Sequence, residues 1–253
     1  MANRDGPPVK ATATSARIIE AIIEADGATL TELSGYVDLS KGSIHNHVDT
    51  LERLGFLVKD GWTYHVSLRF LTVGTLARQR HPVYQHGRSE TKSLARATEL
   101  AANLTVMEQN RGVCLGSSLG TRVDEPFLEA GETFPLHCTA PGKAMLSALD
   151  TDTAREIVGE TGQPAMTENT LTDWDDLAEE LDRIRNRGLA VDQCEWRPDV
   201  RGIAAPITDR DGSLLGTICV LSSSESMSGK RFQQDIPGLV ISSANKVYKN
   251  TQA

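Results

Sequence analysis

Residues 31–62 constrain the fold of this chain more than any other stretch of its sequence. Two short helical patterns joined by a tight turn are followed by a hairpin pattern, and this order within about thirty residues is the scale of a helix-turn-helix with a wing. We expect Thr31 to cap the first helix and Ser40 the second, because a hydroxyl at a helix start accepts hydrogen bonds from otherwise unpaired amides. The segment therefore predicts a winged helix-turn-helix.

The second helix of this segment has one apolar face. The residues of its stripe are Ile44, Val48, Leu51 and Leu54. Their helical spacing predicts that this face is buried. Gly55 follows where a left-handed residue would end the helix. Residues 57–59 and 63–66 are then expected to pair around Asp60-Gly61 as a hairpin, which supplies the wing.

The start of the same helix is rich in small and hydrogen-bonding side chains, which suit entry into the major groove, where base edges are read. The predicted DNA-binding residues are Thr31, Ser40, Lys41, Gly42, Ser43, His45, Asn46 and His47. Lys41 is expected to contact phosphate, whereas Ser43 and Asn46 are expected to contact bases. The alternative is a helical protein-interaction domain, since helix-turn-helix geometry by itself carries no sequence specificity.

Charge is unevenly distributed along the chain. Residues 1–80 carry nine Lys/Arg and nine Asp/Glu, whereas the rest of the 253 residues carries seventeen against twenty-five, which accounts for the formal charge of −8. A DNA-reading segment without net charge attracts DNA phosphates only weakly, so its nonspecific affinity should be modest. We therefore expect a dimer that finds a defined site rather than a protein that coats DNA. Arginine outnumbers lysine eighteen to eight, and this acidic, lysine-poor composition fits either a high-salt organism or codon bias.

The sequence favours no membrane or secretory class. No apolar run approaches membrane-spanning length, and residues 1–10 lack the apolar core of a signal peptide, so we expect a cytoplasmic protein without a membrane partner. The four cysteines are Cys114, Cys138, Cys194 and Cys219. They form no CxxC pair, which predicts reduced thiols, no metal site and no cofactor.

The order of patterns predicts four segments. They are a disordered arm over residues 1–10, a winged helix-turn-helix over 11–69, a linker helix over 70–86 and a second domain over 87–253. A helix over residues 15–24 is expected to bury Ile18, Ile19, Ile22 and Ile23.

The second domain alternates strand and helix patterns. A helix over residues 83–103, able to pack on a partner chain, is expected before strands over 105–108 and 113–118. Thr172 is expected to cap a later helix, and residues 203–221 to form a buried hairpin. These patterns predict an α+β fold in which helices flank an antiparallel sheet.

Two motifs in the second domain resemble the IclR family of transcription regulators. Residues 136–144, LHCTAPGKA, resemble the family's LHxTAxGKAxLA signature. Residues 188–192, GLAVD, and 202–207, GIAAPI, with the turn at Gly212, resemble its GYAxDxEE…GvxxiAaPI…G block. With the winged helix and the linker helix, the similarity covers nearly the whole chain. It implies a GAF-like effector-binding second domain and a homodimer, or a dimer of dimers, on palindrome-like double-stranded DNA.

The first motif also suggests an anion site on physical grounds. Residues 139–142 precede a helix expected to begin near Lys143, where exposed amides and the helix dipole suit a carboxylate. Pro141 removes one donor, so the cradle would use the amides of Ala140, Gly142 and Lys143. The alternative is that Thr139 only caps this helix and that Gly142 only permits close packing.

The resemblance implies that this loop and the aspartate of the second block line an effector pocket. The implied effector-binding residues are Thr139, Ala140, Pro141, Gly142, Lys143, Asp192, Gly202, Cys219 and Leu221. Asp192 is expected to reach a ligand hydroxyl, with an ordinary solvated carboxylate as the alternative. Cys219 either faces the ligand or fills the core.

Several residues depart from the family pattern. Gln193-Cys194-Glu195 stands where the family often has Glu-Glu, Gly202 where many members have cysteine, and Cys219 and Leu221 where relatives often have serines. Each change makes the pocket less polar or roomier. The expected effector is therefore bulkier and more apolar than a two-carbon acid.

Other functional classes fit less well. His137, Cys138 and Asp192 are the ingredients of a thiol enzyme, but neighbouring residues on a strand point to opposite faces, so His137 is not expected to activate Cys138. No catalytic residue is predicted. A cysteine-based redox or metal sensor is the alternative to the predicted function. That function is a DNA-binding transcription regulator whose operator affinity is controlled by a small organic or sugar acid.

Overall fold

The computed structural model describes residues 7–227 and 229–252. Contacts divide the chain into two compact units, Met1–Ala77 and Arg78–Ala253. Residues 1–6 of the expected disordered arm lie outside the described residues, whereas Lys10 already begins the first helix. Within the described part of the chain, no helix is long and apolar enough to cross a membrane.

The first unit is a winged helix-turn-helix, as predicted. Its elements are α1 (Lys10–Glu24), β1 (Ala28–Thr29), α2 (Leu30–Tyr36), α3 (Lys41–Arg53), β2 (Leu57–Asp60), β3 (Thr63–Val66) and the larger part of α4 (Arg69–Gln79). The strands form an antiparallel sheet in the order β1-β3-β2. Asp60 pairs with Thr63, so Gly61 and Trp62 form the tight turn of the wing rather than Asp60 and Gly61.

The core of the first unit lies between α1, α2, α3 and the wing. Ile18 and Ile22 of α1 pack with Ile44 and Val48 of α3, and all four are buried. The prediction for Ile23 was wrong, because this residue lies about 100° around the helix from Ile22 and is exposed. Leu54 was also expected in the buried stripe.

Leu54 is exposed because α3 ends at Arg53 and Leu54 is already its C-cap. Gly55, which follows, has the predicted left-handed conformation, with φ of 77°. Ser40 caps α3 as predicted, since its hydroxyl accepts a hydrogen bond from the Ser43 amide. The two ends of α3 are thus set by residues outside it.

Thr29, and not Thr31, caps α2. Its Oγ1 accepts a hydrogen bond from the Glu32 amide at 3.3 Å, and Glu32 Oε2 accepts one from the Thr29 amide at 2.8 Å. This reciprocal pair is a capping box. The Thr31 prediction was wrong because α2 begins at Leu30, which places Thr31 inside the helix.

The second unit is an antiparallel sheet with helices on both faces, as predicted. Its elements are α5 (Pro82–Thr98), β4 (Ala101–Glu108), β5 (Arg111–Ser118), β6 (Thr133–Phe134), α6 (Ala140–Ser147), α7 (Thr151–Thr161), α8 (Trp174–Arg187), β7 (Ala190–Gln193), β8 (Val200–Thr208), β9 (Leu214–Ser223), one π-helical turn (Arg231–Asp235) and α9 (Ile236–Thr251). The strand order is β6-β5-β4-β9-β8-β7. One core lies between the sheet and α5 with α9, and the other between the sheet and α6, α7 and α8.

Two local expectations in this unit were wrong. The helix expected to reach Asn103 ends at Thr98, because Glu99 takes a left-handed conformation with φ of 60°, and Asn103 lies in β4. Asp173, rather than Thr172, caps α8 by accepting a hydrogen bond from the Asp175 amide.

Candidate functional site

The start of α3 presents an exposed polar surface in the first unit. Lys41, Gly42, His45 and Asn46 are exposed. These residues lie in the first two turns of the helix, whereas Ile44 between them is buried in the core. The arrangement leaves their side chains free to meet base edges and phosphates.

Three other predicted DNA-binding residues have different surroundings. His47 is half-buried, and its Nδ1 lies 2.9 Å from the Ser15 hydroxyl of α1. Ser43 is also half-buried next to the Ser40 cap. Thr31 is exposed on α2, where its carbonyl accepts a hydrogen bond from the Ser34 hydroxyl. His47 therefore joins α3 to α1 rather than standing free.

The effector residues implied by the resemblance come together on the face of the sheet that packs against α6. Asp192 on β7 is in register with Gly202 on β8, which is in register with Leu221 on β9. Ala140, at the start of α6, lies over Gly202. Cys219 is two residues from Leu221 on β9 and lies in the same core.

The missing side chain at Gly202 does not leave free space. A Cβ at this position would lie 2.8 Å from Leu221 Cδ2 and 3.1 Å from Ala140 Cβ. The expectation of a roomier pocket at Gly202 was therefore wrong, since Leu221 fills the space that a larger residue would take. The walls of this site are closed: Asp192, Ala140 and Leu221 are at most 1% exposed.

The loop before α6 is a helix cap. The helix begins at Ala140, earlier than the expected start near Lys143. Thr139 Oγ1 accepts a hydrogen bond from the Gly142 amide at 3.1 Å and donates one to the Pro135 carbonyl at 2.7 Å. The Lys143 amide bonds to the Thr139 carbonyl. Two of the three amides expected to cradle an anion are therefore already paired.

Lys143 forms a buried ion pair with Glu195. Its Nζ donates to both carboxylate oxygens, at 2.5 and 2.6 Å, and the two side chains are 1% and 9% exposed. Burial raises the pKa of the Glu195 carboxyl, and the Lys143 ammonium opposes this shift. The lysine charge is therefore balanced inside the protein rather than offered to an anion.

Asp192 has one carboxylate oxygen without a hydrogen-bond partner in the described part of the chain. Its Oδ1 accepts a hydrogen bond from the Glu195 amide at 2.7 Å, whereas its Oδ2 is buried and has no partner among the described residues. Burial raises the pKa of the Asp192 carboxyl to about 7, the neighbouring Glu195 carboxylate adds to the shift, and Lys143 opposes it. Near neutral pH this group can therefore either accept or donate a hydrogen bond.

A large cleft lies on the other side of the ion pair. Its volume is about 1040 Å³, and it runs along the β7 edge of the sheet between α8 and the start of α9. Lys143 and Glu195 line it, together with Cys194 and Val191. The ion pair thus stands between this open cleft and the closed pocket around Asp192.

The cysteines are placed as core residues. All four are buried and unpaired. Burial raises the pKa of the Cys114 thiol to about 11 and that of Cys138 to about 12, and it also raises the pKa of Cys219. Among the described residues, no group of three or more His, Cys, Asp or Glu side chains is arranged to hold a metal ion.

His137 and Cys138 do not form a catalytic pair. They lie in a turn before α6 rather than on the expected strand. His137 Nε2 lies 3.0 Å from the Pro164 carbonyl, and burial lowers the pKa of this imidazole. The high pKa of Cys138 keeps its thiol protonated, so a thiolate nucleophile has no support here.

The residue missed in the sequence is Glu195. It stands in the motif segment Gln193-Cys194-Glu195, but it was read there as a departure from the family pattern. Its partner lies 52 residues away, and no periodicity connects positions so far apart. The sequence did contain one signal, because Glu195 keeps a glutamate in the segment where the family often has Glu-Glu.

Two sequence profiles match the chain. The profile "Bacterial transcriptional regulator IclR C-terminal" matches residues 75–249, and "IclR helix-turn-helix domain" matches residues 14–61. The probable HTH-type transcriptional regulator ArcR of Halobacterium salinarum is 31% identical over 250 residues, which cover 96% of this chain and 95% of that protein. The HTH-type transcriptional regulator KdgR of Escherichia coli is 26% identical over 219 residues, covering 86% and 83%.

Solved structures share the fold. An IclR transcriptional regulator from Alicyclobacillus acidocaldarius has a TM-score of 0.81 at 24% identity, with 97% of this chain and 100% of that chain covered. An IclR homologue from Microbacterium hydrocarbonoxydans, crystallised in complex with 4-hydroxybenzoate, has a TM-score of 0.82 at 15% identity, covering 96% and 99%.

Proposed function

Since the chain belongs to the IclR family of transcription regulators, we propose that a small organic or sugar acid controls its affinity for an operator. The effector binds around Asp192 in the second unit, and the start of α3 reads the DNA. The operator is palindrome-like double-stranded DNA, because two recognition helices of a symmetric dimer would meet two half-sites. The proposed location is the cytoplasm, where this DNA is found.

The observation that carries the effector proposal is the unpartnered Oδ2 of Asp192. A buried polar atom without a hydrogen bond is costly, so such an atom in a site is a reason to look for a ligand. A ligand hydroxyl is the simplest partner. Leu221 and Cys219 make the adjoining wall apolar, which favours an acid with a hydrocarbon or ring portion. The Microbacterium homologue was crystallised with an acid of this kind, 4-hydroxybenzoate.

The proposed response needs a shape change. The site around Asp192 is closed, so the ligand must bind a more open form better than the closed one. Only this difference in affinity shifts the populations of the two forms. In a dimer, the shift would alter the separation of the recognition helices and hence their fit to the half-sites.

The dimer is supported by α4. Its described residues are all at least partly exposed, and the sequence before and along it carries large apolar side chains. The most exposed of these are Leu68, Leu71, Val73 and Leu76. An apolar surface of this kind on a helix is typical of a protein interface. A second copy of the chain is the proposed occupant, and a dimer of dimers is a further step that needs a separate surface.

Neither an enzyme nor a redox sensor is proposed. A thiol enzyme or a sensor of oxidants needs an accessible thiolate, whereas burial raises the pKa of Cys114, Cys138 and Cys219. The remaining thiol, Cys194, is buried as well.

A thermal-shift screen against organic, sugar and aromatic acids tests the effector site, with Asp192→Ala as the control. A ligand that binds only the folded state raises the melting temperature with its concentration. The expected result is a rise with at least one compound that Asp192→Ala loses. A rise that persists in the control would place the effector elsewhere, and a protein that binds its operator but responds to no acid would contradict the proposal.

A further inference from the structure

A second cavity lies on the opposite face of the sheet from Asp192, between α5 and β5. Its volume is about 230 Å³, the space of roughly seven or eight water molecules at about 30 Å³ each. The lining residues are Arg78, Tyr84, Arg88, Thr91, Leu104, Gly116, Ser117, Ser118 and Ala130. Two of them are arginines and, within the described part of the chain, none is acidic. The size and charge of this cavity suit a small anion.

Arg78 is held in a fixed position at the cavity. Its guanidinium lies over the Tyr84 ring, 4.5 Å from the centroid, and its Nη1 donates to the Leu115 carbonyl at 3.2 Å. Its Nε is buried and has no partner among the described residues. A stacked and hydrogen-bonded guanidinium loses little further freedom when it binds an anion.

A second arginine at the cavity also lacks a protein partner. Arg88 is exposed on α5 and makes no ion pair with any described residue. Ser117, in contrast, is in register with Asn103, whose amide bonds to the Leu128 carbonyl on the other face of the sheet, so its hydroxyl faces away from α5. A buried guanidinium nitrogen without a partner, as in Arg78, is unusual, because native proteins satisfy most such atoms. A ligand that accepts hydrogen bonds would satisfy Arg78 and could pair with Arg88.

The shape of the cavity also admits an anion. Gly116 has no side chain, and its backbone lies beside the ring, since a Cβ there would be in van der Waals contact with Tyr84 Cε2 at 3.6 Å. Leu104 adds an apolar lining. The cavity therefore combines hydrogen-bond donors with a ring and an aliphatic surface, which suits a compact oxyanion with at most a short hydrocarbon portion.

We propose that this cavity binds a small oxyanion, a phosphate or a carboxylate, held by Arg78 and Arg88. The site is separate from the pocket around Asp192 and does not depend on the effector proposed for that pocket. Arg78 lies in the last turn of α4, so an anion bound here would fix the end of the linker helix against α5 and β5.

Sodium phosphate and sodium acetate are the probes for this site, at a constant potassium chloride concentration. Broadening of the ³¹P resonance reports phosphate binding, and ¹H saturation-transfer difference reports acetate binding. The first variant is Arg88→Gln, which removes an exposed side chain without a protein partner and should leave the fold intact. Its matched control is Arg96→Gln, an exposed arginine two turns along α5 that also lacks an ion pair with any described residue. Both variants change the net charge equally.

The expected result is saturable binding of at least one probe to the wild type and to Arg96→Gln. Arg88→Gln should weaken it about tenfold or more, since a charge-assisted hydrogen bond is lost. Ser117→Ala and Asp192→Ala, which change side chains on the other face of the sheet, should leave it unchanged. Phosphate binding without acetate binding would identify a phosphate site, and the reverse a carboxylate site. Equal effects of Arg88→Gln and Arg96→Gln, loss of binding in Asp192→Ala, or no saturable binding of either probe would overturn the proposal.

Discussion

Glu195 accepts hydrogen bonds from Lys143 at both carboxylate oxygens and from the Gln193 amide at Oε1, and its own amide donates to Asp192 at 2.7 Å. One short turn after β7 therefore connects a buried ion pair to the carboxyl group that is proposed to meet the effector. A disturbance of the ion pair would reach Asp192 through a single residue. The stability of the ion pair and the ionisation of Asp192 are therefore tested separately.

Replacing Glu195 with glutamine should destabilise the protein by about 3–5 kcal/mol, because it leaves the Lys143 charge buried without a counter-charge. Equilibrium unfolding in guanidinium chloride measures the loss. Glu179→Gln is the matched control, because Glu179 forms an exposed ion pair with Arg183. This substitution should destabilise the protein by at most about 1 kcal/mol. Equal losses in the two variants would contradict the assignment. The double change Lys143→Met with Glu195→Leu should recover much of the stability lost in Glu195→Gln.

The stability of the wild type should fall as the pH rises from about 4 to about 7, relative to Asp192→Asn. Burial raises the pKa of Asp192 to about 7 from 3.8, so in this window the folded protein keeps a proton that the unfolded chain releases. The wild type therefore loses up to about 1.4 kcal/mol per pH unit, and the loss is complete above pH 7. Asparagine does not ionise, so Asp192→Asn should not show this loss of stability.

Denaturant unfolding of both proteins across this pH range tests the prediction, and a constant difference between them would exclude it. Asp150→Asn is a control of opposite sign. Hydrogen bonds from Thr153 lower the pKa of the Asp150 carboxyl, so its contribution is present above the ordinary pKa of an aspartate and is lost as the pH falls. When the series is extended below pH 4, the wild type should therefore gain on Asp150→Asn as the pH rises toward about 4, and the difference should then stay constant up to about pH 7.

Asn46→Ala should weaken binding to the operator about tenfold or more, while binding to unrelated DNA changes little, because a base contact is lost. Lys41→Ala should weaken binding to both DNAs by a similar factor and reduce the salt dependence by about one phosphate contact. Fluorescence anisotropy with an operator obtained by selection, at several salt concentrations, measures both effects.

His47→Ala is the informative comparison for these DNA variants. Its ring lies 2.9 Å from the Ser15 hydroxyl, so its loss should reduce the stability of the first unit more than the readout of bases. A drop in operator affinity as large as that of Asn46→Ala, in a His47→Ala protein of wild-type stability, would restore His47 as a base-reading residue.

Native protein should react very slowly with a maleimide, whereas four thiols should react after unfolding. All four cysteines are buried, and the raised pKa of Cys114, Cys138 and Cys219 leaves little thiolate in these three at neutral pH. Mass spectrometry after timed labelling counts the modified residues. A single cysteine that reacts within seconds in the folded protein would reopen the redox alternative.

Leu71→Asp and Leu76→Asp should each convert the proposed dimer into monomers, because a charge would then lie in the apolar interface proposed on α4. Light scattering coupled to size-exclusion chromatography gives the mass. Gly74→Asp, an exposed position on the opposite side of the same helix where a Cβ meets no atom within 4 Å, adds the same charge and should leave the dimer intact. Dissociation by all three variants to the same extent would point to general charge repulsion instead.

The local parts of the fold could be predicted because their signals lie within a few residues of one another. The Ser40 cap, the Gly55 terminus and the strands of the wing are examples. The position of the first cap was missed, although Glu32 three residues after Thr29 is the pattern of a capping box. Thr31 lacks a glutamate at that spacing, so the sequence did hold the information.

The interior of the proposed effector site could be predicted only in part. The family motifs bring Asp192, Gly202 and Leu221 onto one face, and the strand registers place them side by side. What fills the space at Gly202 depends on how Leu221 packs across two strands, and the partner of Lys143 depends on how α6 meets the turn after β7. Such contacts are set by tertiary packing, which residue spacing does not encode.

The closed walls around Asp192 have a consequence for the speed of the response. If the effector binds there as proposed, it can enter only when Leu221 or the start of α6 moves, so the observed binding rate should level off at high ligand concentration at the rate of that opening. Below this limit the observed binding rate would rise with the ligand concentration. At the limit it would equal the rate of opening and would no longer depend on the ligand concentration. The time that the regulator takes to register a sudden excess of its effector is then a property of how Leu221 is packed.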